Sequence, residues 1–294
     1  LLIARLIAET STLAANVDAA RAELSAQGWP VAMAETVRSG MNVAELQLPK
    51  GDAAGVRAVL DRHFSPSDVL LADHEPVLPR VFVSDMDSTM ISAECIDELA
   101  DFAGIKDQIA AITERAMHGE LDFEAALRQR VALLRDLAET AIAQCLAERI
   151  APMPGARTLV ATLKAKGCRT VLVTGGFHQF ADPVAEQLGF DRVAANRLEI
   201  VAGKLTGGLV GPITDSAVKK AVLLEEMALL GENATSLATG DGANDIPMIE
   251  AATYGIAYYA KPKARMAADG WIDRGDLTSV LELLGIPREE WVWE

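Results

Sequence analysis

An α/β protein is predicted: a doubly wound parallel sheet with a helical cap over one edge, preceded by a smaller α+β domain. Three observations predict it. After residue 80, short β-branched apolar runs alternate with helical periods, the pattern of parallel strands joined by crossover helices. Directly after the first of those runs, about 60 residues read as helix alone, which a plain strand–helix repeat does not produce. The first 75 residues carry their own alternation of strands and helices, with no catalytic constellation among them.

In that first segment Leu1–Ala8 reads as a strand. Thr12–Gln27 reads as a helix with Leu13, Val17, Ala20 and Leu24 on one face and Ser11 or Thr12 as its cap. Pro30–Val37 and Met41–Leu48 read as a hairpin around Ser39-Gly40, Ala53–Phe64 as a second helix, and Asp68–Asp73 as a last strand. The order βαββαβ is that of a ferredoxin-like layer, so residues 1–75 are expected to form a separate domain. His63 and His74 stand alone and are assigned surface or packing roles. His74 to Arg80, with two prolines, is the expected linker to a second domain over 76–294.

That second domain opens on Val81–Val83, a buried strand by composition. Ala93–Phe102, Lys106–Met117, Phe123–Leu134 and Ala138–Ile150 follow as four helices, punctuated by Gly104, Gly119 and Pro152, and make a cap of about residues 92–150. The sheet then resumes with a helix at Thr158–Lys166 and a strand at Arg169–Val173 that ends in Thr174-Gly-Gly. A helix at Pro183–Leu188, a strand at Val193–Ala195 and a hairpin of Leu198–Val201 with Lys204–Leu209 come next. The rest reads as a helix over Ser216–Leu230, a strand at Thr235–Ala238, a helix at Ile246–Ala251, a strand at Gly255–Tyr258 and a closing helix at Leu277–Leu284. The tail Trp291-Val-Trp293 is apolar enough to dock on the body or on a partner.

Bulk properties narrow the function. Half of the 294 residues are apolar, and the net charge of −15 argues against nucleic acid or an anionic membrane as partner. Three scattered cysteines, Cys95, Cys145 and Cys168, fit buried reduced thiols better than a disulfide framework or a zinc site. No apolar run approaches the ~18 residues of a membrane span, and Leu1–Ala8, broken by Arg5, does not fit a signal peptide. A cytoplasmic protein is the resulting expectation, and the absence of an initiator Met at residue 1 adds the expectation that the chain continues upstream of Leu1.

The chemistry starts at Asp85-Met-Asp87, where the first strand of the sheet ends. Carboxyl ends of parallel strands are where ligands sit. Two carboxylates aimed into one pocket repel, so a buried pair needs a cation between them or a shared proton. Mg²⁺ takes one or two carboxylates plus phosphate oxygens, which makes phosphate handling the natural use; taken alone, Asp-x-Asp also suits a solvated turn. Two later strand ends supply the rest: Thr174 with Gly175 and Gly176, whose backbone can approach an anion closely, and Gly240-Asp241-Gly-Ala-Asn244-Asp245. Lys219 and Lys220 open the preceding helix and offer a cation for phosphate oxygens.

Asp85-Met-Asp87-Ser-Thr89, Thr174-Gly-Gly176, Lys220-Ala-x-x-Leu224 and Gly240-Asp-Gly-Ala-Asn-Asp245 resemble the four motifs of the haloacid dehalogenase superfamily of phosphotransferases. The likeness runs from residue 80 to about 285 and implies a Rossmann-like sheet. Within the superfamily the cap is similar to that of the phosphoserine phosphatase family, through Glu94-Cys-Ile-Asp-Glu-Leu-Ala100, Ala116-Met-His-Gly-Glu-Leu-Asp-Phe123, Leu127-Arg-Gln-Arg-Val-Ala-Leu-Leu134 and Ala195-Asn-Arg197. Thr174 stands where that family more often has Ser, and either supplies a hydroxyl. Aligning Lys-Ala with the family pattern selects Lys220 over Lys219. The first 75 residues resemble, by element order, the ACT-type domains joined to amino-acid-pathway enzymes, which implies an amino-acid effector and a homodimer through that domain.

The resemblance implies hydrolysis of O-phospho-L-serine, the last step of serine biosynthesis. Asp85 would be the nucleophile and form an aspartyl-phosphate; Asp87 would protonate the leaving oxygen and then activate water. Mg²⁺ would be held by Asp85, the Asp87 backbone carbonyl and Asp241, with Asp245 orienting from outside the coordination sphere. Thr174, the Gly175 N–H, Lys220 and Asn244 would hold the phosphoryl oxygens. From the cap, Glu94 would take the substrate ammonium and Arg130 its carboxylate, with Met117 and Phe123 as apolar walls. Two rivals stand beside this: transfer of the phosphoryl group to another alcohol such as homoserine, and an amino-acid-binding regulator with a vestigial site.

Overall fold

The computed structural model describes residues 1–36, 43–117, 120–231 and 234–293. The first segment runs β1 (Leu2–Ile7), α1 (Leu13–Ala26), β2 (Met33–Thr36), β3 (Ala44–Leu48), α2 (Ala53–Phe64) and β4 (Asp68–Ala72). The turn expected at Ser39-Gly40 lies outside the described residues. All pairings in this layer are antiparallel, in the order β2-β3-β1-β4, which is the ferredoxin-like arrangement. Val17 and Leu24 of α1 and Val56 and Leu60 of α2 pack on Leu2, Ala4 and Leu6, alternate residues of β1.

The catalytic half begins with β5 (Val81–Ser84), followed by cap helices α3 (Cys95–Phe102), α4 (Lys106–Met117), α5 (Phe123–Leu133) and α6 (Thr140–Arg149). Then come α7 (Ala156–Ala165), β6 (Arg169–Phe177), α8 (His178–Leu188), β7 (Arg192–Asn196), β8 (Leu198–Val201), β9 (Lys204–Leu209) and α9 (Ser216–Leu230). The chain closes through β10 (Ser236–Gly240), α10 (Ile246–Ile249), β11 (Tyr254–Tyr258), α11 (Pro262–Ala267), β12 (Gly270–Ile272) and α12 (Ser279–Leu283). Six of these strands are parallel in the order β12-β11-β10-β5-β6-β7. Both faces are covered, as a parallel sheet requires. Val81 and Val83 face Val222, Leu223 and Met248 on one side, while Phe82 joins Leu159, Val184 and Leu281 on the other.

Several expectations are corrected. The helix expected to start at Pro183 starts at His178 and keeps Pro183 inside it, so a single missing N–H did not stop it. The strand expected to end at Val173 continues to Phe177, its register against β7 shifting between those two residues. Gly270–Ile272 and Pro262–Ala267 form a strand and a helix that sequence periodicity did not single out. The hairpin β8–β9 stands apart as a two-stranded sheet and is tied to the cap, where the N–H groups of Asp136 and Glu139 donate to the carbonyls of Leu205 and Gly203 at 2.9 Å. The tail docks on the body: Trp291 is buried, its Nε1 donates to the Ile286 carbonyl, and the Val292 N–H donates to Thr162.

The largest departure concerns the first 75 residues. They do not form a sheet of their own: β4 pairs antiparallel with β12, Leu70 opposite Gly270 and Asp68 opposite Ile272, so ten strands make one continuous sheet. Trp271 of β12 is fully buried in the core beneath α1 and α2. The guanidinium groups of Arg57 and Arg265 both lie over its ring, 4.5 and 4.4 Å from the centroid. Arg5, buried in β1, donates to Glu45, to Glu75 and to the Leu283 carbonyl of α12.

Candidate active site

The strand order places the site. From β5 the chain winds outward through β6 and β7, then returns to β10 on the other side of β5 and winds outward again through β11 and β12. The reversal falls between β5 and β10, and loops leaving these two strands diverge there to open a crevice. Ser84 pairs with Thr239, and the Asp85 N–H donates to the Thr239 carbonyl at 2.9 Å. Asp85 and Asp241 therefore leave neighbouring parallel strands at the same edge of the sheet.

Oxygens of Asp85, Asp241 and Asp245 all lie within 4.8 Å of one another, and all three residues are buried. Lys219, 1 % exposed, reaches into this cluster: its Nζ donates to Asp85 Oδ1 at 2.6 Å and to Asp245 Oδ1 at 2.7 Å. The lysine at the site is Lys219, not Lys220 as alignment of the motif selected. Lys220 is exposed, because one residue along a helix turns the side chain through about 100°. Asp215 caps α9 by accepting from the Val218 N–H and fixes the helix phase. In that phase Lys219 lies on the buried stripe of Val222, Leu223 and Glu226.

One ammonium among three carboxylates leaves the cluster short of positive charge. Burial, and then the neighbouring Asp245, push the Asp85 carboxyl well above its ordinary range against the pull of Lys219. Burial and Asp245 likewise raise Asp241 to about 6, with Lys261 drawing it back. Burial works against the Lys219 ammonium, but Asp85 and Asp245 outweigh it and keep the group charged. A set of oxygen donors with excess negative charge suits a hard divalent cation, so these residues fit one. Both Asp245 oxygens are engaged, by Lys219 and by the Gly242 N–H at 3.0 Å. That favours an orienting role for Asp245. A Cβ on Gly240 would fall 2.4 Å from Asp245 Cγ, so only glycine lets the loop fold back this tightly.

The Asp87 carboxylate stands apart from that cluster. Its Oδ1 accepts from the Cys95 N–H at 3.3 Å, at the start of α3, and a Cβ on Gly176 would lie 3.0 Å from its Oδ2. Burial first, and then Glu94, push it up to about 7, while the bonds from Cys95 oppose them. A carboxyl near that value carries a proton part of the time at neutral pH, which is what an acid that later becomes a base needs. Cys95, Cys145 and Cys168 are buried and unpaired, and burial holds all three thiols above their ordinary range. None of them is activated as a nucleophile.

A cavity of about 130 Å³ opens on these groups. From the sheet it is lined by Asp85, Asp87, Thr174, Gly175, Gly176, Asp241 and Asn244, and from the cap by Glu94, Phe123 and Arg130. Thr174 is buried, and its Oγ1 accepts from the Gly176 N–H at 2.9 Å. Ser88 donates to Glu94 Oε1 at 2.8 Å. Burial pushes the Arg130 guanidinium below its ordinary range, against Asp97 and Glu94, and its Nε donates to the Ala126 carbonyl at 3.4 Å. The cap closes directly on the Thr174-Gly175 end of the cavity: a Cβ on Gly175 would meet Phe123 Cζ at 3.1 Å. Met117 ends α4, and its side chain lies outside the described residues. Ile96, Leu127, Phe177 and Lys261 also line the cavity and were not singled out from sequence. Leu127 lies three residues before Arg130 on α5, so helical spacing carried its signal; Ile96 follows the N-cap Glu94 at a spacing that puts no two helical residues on one face.

A family model described as haloacid dehalogenase-like hydrolase matches residues 82–250. The chain belongs to that family. Among curated proteins, this haloacid dehalogenase-like hydrolase is 47% identical over 210 residues to the phosphoserine phosphatase of Albidiferax ferrireducens, covering 69% of this chain and 89% of that one. It is also 47% identical over 212 residues to phosphoserine phosphatase SerB2 of Mycobacterium tuberculosis, of whose length it spans about half, 52%. The structure of a probable phosphoserine phosphatase from Vibrio cholerae superposes with a TM-score of 0.75 at 32% identity over 98% of this chain and 87% of that one. No helix among the described residues is long and apolar enough to cross a membrane.

Proposed function

We propose that this hydrolase is a phosphoserine phosphatase, cleaving O-phospho-L-serine to serine and phosphate with Mg²⁺ bound. The observation that carries this is a single small cavity with two different ends. At the sheet end stand Asp85, Asp87, Thr174 and Asn244; at the cap end stand one anion, Glu94, and one cation, Arg130. A phosphorylated amino acid presents the complementary groups: a phosphate, an ammonium and a carboxylate. The names of the relatives support the same substrate.

Asp85 attacks phosphorus in line, forming an aspartyl-phosphate as the serine oxygen leaves. Asp87 gives its proton to that oxygen, then takes one from the water that attacks the aspartyl-phosphate and restores Asp85. Asp85, the Asp87 carbonyl and Asp241 would hold Mg²⁺, which when bound offsets the repulsion between carboxylate and phosphate. Lys219 keeps Asp85 oriented and supplies fixed positive charge beside it. The Thr174 hydroxyl, the Gly175 N–H and Asn244 hold the phosphoryl oxygens, donors fixed before the reaction starts. Phe123, closed on Gly175, keeps bulk water out during the first transfer. An amino-acid effector and a homodimer through residues 1–75 belong to the same reading, supported by the element order of that layer, as does a cytoplasmic setting, which three buried unpaired thiols suit.

Steady-state hydrolysis of a panel of phosphorylated amino acids and a small aryl phosphate tests the reading. Phosphoserine should lead the panel by about tenfold or more in kcat/KM, and chelation should abolish turnover until Mg²⁺ is returned. A flat panel, or turnover indifferent to chelation, would sink it. Arg130→Ala should cost phosphoserine about 2–4 kcal/mol of transition-state binding, since a buried charged contact is lost. The aryl phosphate, with no carboxylate, should lose far less; equal losses would remove Arg130 from substrate recognition.

A further inference from the structure

Entry to the cavity poses an electrostatic problem that a cation held at its sheet end does not by itself solve. Four carboxylates line the cavity, Asp85, Asp87, Glu94 and Asp241, on a chain of net charge −15. The substrate of the proposed reaction is itself an anion. Lys219 lies buried behind Asp85, and Arg130 is partly buried in the cap beside Glu94 and Asp97. Among the described residues, the remaining cation lining the cavity is Lys261, and it is exposed.

Its backbone is held in place from both sides. The Lys261 N–H donates to the Asp241 carbonyl at 2.9 Å, and Pro262 follows as the first residue of α11 with its φ fixed by the ring. The residue that carries this ammonium is thus bonded to the carbonyl of a proposed metal ligand, while the side chain stays in water. We infer that Lys261 is the entry cation of the site, an ammonium at the lip that draws phosphate esters past the carboxylates and tempers the hold of Asp241 on a divalent cation. The second half follows from the same placement: an ammonium that lines one small cavity with the Asp241 carboxylate also repels a cation bound there. An exposed charge acts over about 8 Å at physiological salt and less above it, so both effects are screened by added salt.

The inference rests on the phosphatase reading for its substrate but not for its metal, and the test uses both. For Lys261→Ala, kcat/KM for phosphoserine and for an aryl phosphate should fall together, about 3–10-fold at low ionic strength, with kcat within about twofold of wild type. The deficit should shrink below about twofold near 0.5 M salt. Lys261→Arg should restore the value and Lys261→Glu should lower it further. Lys263→Ala, which removes an exposed lysine of α11 that does not line the cavity, should change nothing. Titration of Mg²⁺ alone into the protein, followed by calorimetry, should show tighter binding for Lys261→Ala by about threefold. A loss carried by kcat, or one indifferent to salt, would mean a structural role and overturn the inference, as would unchanged or weaker Mg²⁺ binding. If the wild type hydrolyses no phosphate monoester, the functional reading falls and the Mg²⁺ titration alone decides the role of Lys261.

Discussion

Asp85→Asn is expected to lower kcat for phosphoserine by roughly 10⁴-fold or more, because the amide oxygen is no nucleophile and the two-step route closes. The fold should be untouched. An amide fills the space of the carboxylate and still accepts from Lys219, and it removes one negative charge from a cluster that has too many. The melting temperature should therefore stand at or above the wild-type value, the direction set by the raised Asp85 carboxyl. Burial lifts that group first and Asp245 next, so the folded state gains when the charge is deleted. Near-normal turnover in the variant would remove Asp85 as nucleophile, and a lowered melting temperature would contradict the charge accounting.

The paired lysines give the second large effect. Lys219→Ala should lower kcat at least about 10²-fold and destabilise the protein by about 3–5 kcal/mol, the cost of leaving buried charge without its partner. Asp85 and Asp245 would both lose a bond of 2.6–2.7 Å from an ammonium that neutral water cannot replace in charge. Lys220→Ala, one residue on, should be silent within about 0.5 kcal/mol, as an exposed surface change usually is. Thermal melts and steady-state rates on the two variants decide between them. Reversal of the two phenotypes would return the phosphate lysine to the position that motif alignment selects.

The fold was largely legible in the sequence because its strongest signals are local. Val81–Val83 declare a strand by composition, and the polar residues of the site sit where strands end because chemistry needs them there. Alternation of strand and helix then brings Asp85 and Asp241 to one edge, though 156 positions separate them (241 − 85). What stayed hidden depends on helix phase and on contacts distant in sequence. Lys219 against Lys220 was decided by where Asp215 starts α9, and the stripe of Val222, Leu223 and Glu226 held that answer. Thr174-Gly-Gly reads as a turn, yet the strand carries through it to Phe177 with a shift of register. Lys261 carries no motif; its place at the lip follows from the loop after β11. β12 was missed because three residues, Gly270 to Ile272, are too short to show a period.

The pairing of β4 with β12 gives residues 1–75 a protective task independent of any effector. Outermost strands of an open sheet offer bare amides and carbonyls to whatever strand drifts past, and proteins must blunt that invitation. On this side of the catalytic half the blunting is done by the N-terminal layer itself, which shields the Trp271 indole and leaves β2 as the terminal rung. The two halves of this chain therefore share one solubility problem, and either half alone would face it with a sticky flank.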